Sequence, residues 1–183
     1  MTDTNQTWTR RVSRDEIPEQ GLHVDMTADA NVRAALVKSA GLVDLTNLKA
    51  SFDLTRKGRE GLQVLGKISA DLVQKCIVTL DPVEQKLDEE VDLVFLPQAE
   101  IPEQDLQAEA ELAMAAGGEA EPPEPLIGNA VDLGAIATEH FLLGIDPYPR
   151  KEGAVFEPTT VGNPVESPFA ALAALKKEKS GDE

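Results

Sequence analysis

Few side chains in this sequence are of a type and spacing that could do chemistry. There is one cysteine, Cys76, and there are two histidines, His23 and His140. A nucleophilic or metal-bound thiol needs a neighbouring base, cation or second ligand. None stands at a useful spacing from Cys76. Its parity with Val78 and Leu80 places it instead on the apolar face of a strand, as a small buried hydrophobe. His23 alternates with Leu22 and Val24 and so faces the solvated side of its strand. His140 follows Ile136 and Ala137 by one helical turn, at the edge of an apolar face. Two histidines so far apart, with no partner motif, make no metal site. A phosphate-cradling glycine loop, H-E-x-x-H and G-x-S-x-G are all missing from the sequence. The expectation is a protein that is not an enzyme, with no cofactor, metal or small-molecule substrate.

Charge is the other chemical feature. Arg10, Arg11 and Arg14 lie close in sequence, and Arg56, Lys57 and Arg59 surround a turn that contains Gly58 and Gly61. These six are either ordinary surface charge or a set of contacts to phosphate and unpaired bases, for which arginine is well suited. Asp88, Glu89, Glu90 and Asp92 interleave with Leu87, Val91 and Leu93. They read as a solvated sheet face or edge, with a cation site or a docking strip for a basic partner as the alternatives.

The elements that must position these groups follow from hydrophobic period. Thr7–Ser13 reads as a short strand, and the apolar residues at 22, 24 and 26 as another. A helix follows, with Thr27 as N-cap, Asp29 in its first turn and Gly41 as a left-handed C-terminal stop. Val32, Ala35, Leu36, Ser39 and Ala40 form its buried face, and Arg33 and Lys38 point away. Three long alternating runs come next: Leu48–Leu54, Leu62–Leu80 with Cys76 in phase, and Val83–Phe95. They predict an antiparallel meander with one apolar and one polar face. Gly66 or Gln74 is expected to mark a bulge, and strands this long predict strong curling into a partial barrel. Asp132 caps a second helix with Leu133, Ile136, Ala137, His140, Phe141 and Leu143 on one face, stopped by Asp146-Pro147-Tyr148-Pro149. The fold class is therefore α+β, an antiparallel and strongly curled sheet with two to three helices packed on it. Residues 1–6 are expected to be disordered and 7–150 to form one domain. An acidic mobile insertion is expected at 97–125 with a helix over Asp105–Ala116, and a linker and C-terminal helix at 151–183.

The chain has 183 residues and a net charge of −16. Residues 1–60 carry nine basic and nine acidic side chains, whereas 61–183 carry eight and 24. A field of that sign repels phosphate at long range, so contact with nucleic acid needs a local basic patch within about 8–10 Å. Only the first third of the chain supplies one. No apolar run reaches the roughly 18 residues of a membrane span. The start of the chain lacks a secretory signal, and the single cysteine excludes a disulfide framework, so a cytoplasmic protein is expected.

Three segments in order resemble one family. They are Gln74–Val83 between a strand with Gly66 and a strand ending Phe95-Leu96-Pro97; Val131-Asp132-Leu133-Gly134 through Glu139-His140-Phe141, followed by Asp146–Arg150; and Ser167-Pro168-Phe169-Ala170-Ala171-Leu172 through Lys176. This pattern is similar to the YceD family, also labelled DUF177, and covers nearly the whole chain from residue 7. The resemblance implies a non-enzymatic role in accumulation of 23S ribosomal RNA and assembly of the large ribosomal subunit. The partners it implies are large-subunit rRNA or ribosome-assembly proteins. An acidic module that binds a basic ribosomal or assembly protein, without touching RNA, is the alternative. Many members carry C-x-x-C where this chain has Cys76 and Thr79, so it looks like an alphaproteobacterial-type variant without that pair, and no metal is carried over. Residues that match the family pattern are Cys76, Leu80, Pro82, Asp132, Leu133, Glu139, Pro147, Pro149, Pro168, Phe169 and Leu172. Pro82 is expected to form a turn, Phe169 to anchor the tail, and Glu139 to meet a specific partner.

Overall fold

A computed structural model describes residues 8–97 and 123–156. The expected disorder of residues 1–6, the helix over Asp105–Ala116 and the C-terminal helix from Pro168 all lie outside the described residues. In chain order the elements are β1 (Arg11–Ser13), a 3-10 turn (Arg14–Glu16), β2 (Leu22–Thr27), α1 (Ala30–Ala40), β3 (Asp44–Lys57), β4 (Gly61–Lys75), β5 (Pro82–Leu96), β6 (Glu124–Pro125), a second 3-10 turn (Ile127–Asn129), β7 (Ala130–Asp132) and α2 (Leu133–Gly144).

The alternating runs form the main sheet, in the order β2-β3-β4-β5-β6, and β1 pairs with β7 in a separate ribbon. The sheet is α+β in context but neither closed nor all antiparallel. β2 and β6 remain its two edges, and β6 runs parallel to β5 through Phe95–Glu124 and Leu96–Pro125. The expected strongly curled, antiparallel partial barrel is therefore wrong. Bulges inside long strands bend a sheet and promote curling. β4 and β5 instead pair without interruption from Leu62–Phe95 to Lys75–Pro82, and the single register shift of β3 lies near its start, between Leu45 and Asn47. Gly66 is not a bulge either. It pairs in register with Phe52 and Val91, and a Cβ there would collide with the Phe52 ring. The apolar face is covered by other elements rather than by the sheet folding on itself: α1 packs on β3, and α2 on β5, β4 and β1.

One core results. Leu48, Phe52 and Leu54 of β3, Leu62, Val64, Ile68 and Leu72 of β4, and Leu87, Val91, Leu93 and Phe95 of β5 share it with Leu36, Leu133 and Phe141 of the helices and with Trp8, Val12 and Ile17. The other parity leaves a polar open face, with rows such as His23–Asp53 and Lys67–Glu90 across the strands. The N-cap of α1 is Asp29 rather than Thr27: its carboxylate accepts from the amides of Asn31 and Val32, each at 2.8 Å. A carboxylate at that position also meets the positive end of the helix dipole. Gly41 closes α1 in the left-handed region at φ 66°. Arg33 does not simply project into solvent, since its Nη1 donates to the Ala28 carbonyl at 2.7 Å. The middle strand stops at Lys75, not Leu80, so Cys76 leaves the sheet face altogether.

Candidate functional site

The two basic segments meet. Arg14 lies in the 3-10 turn after β1, and its Nη2 donates to the Arg59 carbonyl at 2.6 Å, across 45 residues of sequence. That bond fixes the β3–β4 turn, where Gly58 takes φ 59°, against the N-terminal segment. Arg56 and Lys57 are the last residues of β3, opposite Leu62 and Gly61. Arg10 precedes β1 and Arg11 opens it, and both are exposed. The Arg10 amide donates to Asp132 Oδ1 at 2.9 Å, and its carbonyl accepts from the Leu133 amide at 2.9 Å. Arg11 stands opposite Asp132 in the ladder. Five of the six basic side chains, all but Arg14, are exposed, and none of the six forms an ion pair among the described residues. Arg14 itself is half-buried and its Nε has no partner, so it acts as a strut within the corner. Asp15 and Glu60 line the small groove beside it and temper the local charge.

A second constellation is one that hydrophobic period did not reveal. Cys76 begins the turn between β4 and β5, and its fully buried sulfur accepts from three backbone amides: Lys151 at 3.3 Å, and Val78 and Thr79 at 3.4 Å each. The Lys151 amide, then Thr79 and Val78, hold the thiol pKa down at about 6 against the opposing effect of burial. Around it the Ile77 amide donates to the Pro149 carbonyl at 2.9 Å, Gln74 Nε2 to the Asp146 carbonyl at 2.9 Å, and Lys151 Nζ to Asp81 Oδ2 at 3.0 Å. The Lys151 bond and charge also lower the pKa of Asp81. The segment after α2 is thereby clasped to a turn some 70 residues earlier in the chain. No period in the sequence marks such a contact, although Cys76 and Pro149 both match the family pattern.

The remaining residues have plain positions. Leu80 is exposed and left-handed at φ 64°, and Pro82 opens β5. Asp132 caps α2 through the amides of Gly134 and Ala135 while also holding Arg10, and Leu133 is fully buried. Gly134 abuts the backbone of Trp8 so closely that no Cβ fits. Pro149 is buried and Pro147 exposed. Glu139 projects from α2 into solvent, with no ion pair or hydrogen bond among the described residues. Pro168, Phe169 and Leu172 lie outside the described residues. His140 bonds the Ile136 carbonyl at 3.0 Å within its own helix. His23 sits between Asp53 at 2.8 Å and Asp25 at 3.4 Å, and its hydrogen bond to Asp53 raises its pKa. Among the described residues no three His, Cys, Asp or Glu side chains converge as a metal site, and no helix is long and apolar enough to cross a membrane.

Fold and surface together describe an α+β protein with an exposed basic corner on an otherwise acidic body. A family model described as "Large ribosomal RNA subunit accumulation protein YceD" matches residues 64–176, and the chain belongs to that family. The family's description ties it to accumulation of large-subunit ribosomal RNA. No curated protein matches the chain, and no solved structure does.

Proposed function

We propose that the protein is a non-enzymatic factor in 23S rRNA accumulation and large-subunit assembly, and that it touches rRNA through Arg10, Arg11, Arg56, Lys57 and Arg59, with Arg14 bracing the corner. The observation that carries this reading is the bond from Arg14 to the Arg59 carbonyl, which joins two basic segments distant in sequence. Elsewhere the net charge of −16 repels phosphate, so an approaching RNA is steered to one corner. Exposed arginines there would hold phosphates bidentately and stack on unpaired bases, as single-stranded rRNA segments offer. The family pattern residues in this reading build the scaffold: Asp132 ties the Arg10 backbone to α2, and the Cys76 turn clasps the segment after α2. Residues 7–150 then act as one domain, in the cytoplasm where ribosomes assemble.

The test is a filter-binding titration of 23S rRNA fragments over a range of salt. The variant Arg56→Ala/Lys57→Ala/Arg59→Ala alters only exposed turn and strand-end side chains, so its fold should hold. It should bind more weakly. Its slope of log affinity against log salt should fall by about 2, from about 0.7 for each of the phosphate contacts removed on single-stranded RNA. Unchanged affinity and slope would rule out this corner as the RNA contact.

A further inference from the structure

A different surface, the outer edge of β5, is open among the described residues. The inner edge of β5 is paired with β4 along its length, whereas its outer edge meets β6 only at Phe95 and Leu96. The next backbone bond is from Leu126 to the Leu96 carbonyl, and no other described residue pairs with Val83–Val94 on that side. In an antiparallel ladder alternate residues turn both N–H and C=O outward, so about six residues of this stretch present backbone with no partner among the described residues. At about 3.3 Å per residue the open edge is roughly 40 Å long. An edge of this kind is a template for a further strand.

The side chains say which strand. β5 carries Glu84, Asp88, Glu89, Glu90 and Asp92 against a single Lys86. Glu90 has only a long pair with Lys67 at 3.8 Å, and Asp92 accepts from neutral Gln63 at 3.0 Å. Glu89 lies on the core-facing parity with Leu87 and Val91, half-buried against Gly144, and has no cationic partner among the described residues. Beside it a groove of about 730 Å³ runs between the last turn of α2 and the middle of β4 and β5, lined by Glu89, Glu90, Asp92 and His140 among others. The groove and its carboxylates lie beside this edge at Glu89–Asp92, with Lys67 as the one basic side chain in the lining. These carboxylates repel a second copy of this acidic chain and repel RNA, and the same field favours a cationic strand. The other sheet edge, β2, is six residues long, and its Asp25 lies against His23.

We propose that the outer edge of β5 binds an extended Lys/Arg-rich peptide segment of a basic protein by strand addition, with its cationic side chains over Asp88, Glu90 and Asp92, which share the open face of the sheet. This does not rest on the RNA corner, and either can fail alone. The probe is a fluorescent peptide of about nine residues in which Lys alternates with Thr and Val, long enough for a strand. A second peptide of the same sequence has alternate backbone nitrogens methylated, which keeps the charge and removes the ladder donors. Fluorescence anisotropy with the full chain should show the unmodified peptide binding at least about tenfold tighter than the methylated one. The variant Asp88→Asn/Glu90→Gln/Asp92→Asn should lose a similar factor, and amides of Val83–Val94 should gain protection from hydrogen exchange when the peptide is added. Equal binding of the two peptides would reduce the effect to bulk charge and overturn strand addition. Full binding by the triple variant, protection confined to another strand, or displacement of the peptide by a short RNA would overturn it as well, and the first of these comparisons needs no variant to fold.

Discussion

Cys76 shows how far a single residue's role depends on where its backbone turns. On a strand face it would be an inert filler of the core. At the start of a turn its sulfur becomes the acceptor for three amides, and its anion is favoured so strongly that the pKa falls from 9.0 to about 6. The folded thiol therefore releases its proton more easily than the unfolded one. Its contribution to stability is complete above the unfolded value and is lost as pH falls through about 6. Stability should rise with pH across that window because of this residue. His23 acts in the opposite sense, since its raised pKa gives a contribution that is present below the ordinary value of 6.5 and lost as pH climbs through the raised one. The difference between the wild type and Cys76→Ser removes the histidine from the comparison. Urea midpoints measured from pH ~6 to ~9 should climb more steeply for the wild type than for Cys76→Ser. Parallel curves would mean that the sulfur sits among those amides as a neutral thiol.

At the scale of elements, a close contact between two of the long strands is Gly66 beneath Phe52. The two are register partners on the core face, and the ring occupies the space a side chain at 66 would need. Phe52 is fully buried, so it has little room to yield. Gly66→Ala should therefore destabilise by about 1–3 kcal/mol through overpacking, despite the better strand propensity of alanine. In a Phe52→Leu background the same change should cost much less, and a double-mutant cycle on thermal or urea unfolding reads the difference. Additive effects would show that the ring and the glycine do not compete for space. This contact also marks what period can reveal. The apolar parity of 48–54, 62–72 and 87–95 was plain in the sequence because one sheet face is buried and the other wet. The two-residue β6, the β1–β7 ribbon and the turn that follows β4 at Cys76 were not, because they meet partners 29, up to 121 and 75 residues away rather than neighbours. Strand length alone does not determine curling: β4 and β5 pair in uninterrupted register, and helices cover the apolar face of an open sheet.

Over the whole molecule the candidate sites divide by sign: a basic corner built from the first third, and an acidic body with an open edge. The basic residue types of the corner were legible as runs in the sequence. Their meeting was not, since it hangs on the bond from Arg14 to a carbonyl 45 residues away. The acidic body has a physical consequence beyond binding. The described residues carry 20 acidic and 14 basic side chains, a net charge of −6 that strong pairing does not neutralise, because each of the four ion pairs among them joins exposed side chains, and two of them share His23. Exposed pairs contribute about 0–1 kcal/mol each, whereas like charges packed into a compact body repel one another throughout. Salt weakens both, but the repulsion spans more pairs and longer distances, so screening should relieve more than it removes. The melting temperature should therefore rise as NaCl is raised from about 10 to about 300 mM, where the screening length shrinks from roughly 30 Å to under 8 Å. Chloride and sulfate at equal ionic strength should give the same rise at low concentration if screening is its cause. A melting temperature that falls with salt would show that attraction between paired charges outweighs repulsion, and an acidic surface so well matched within the chain would leave little field to attract a basic strand to β5.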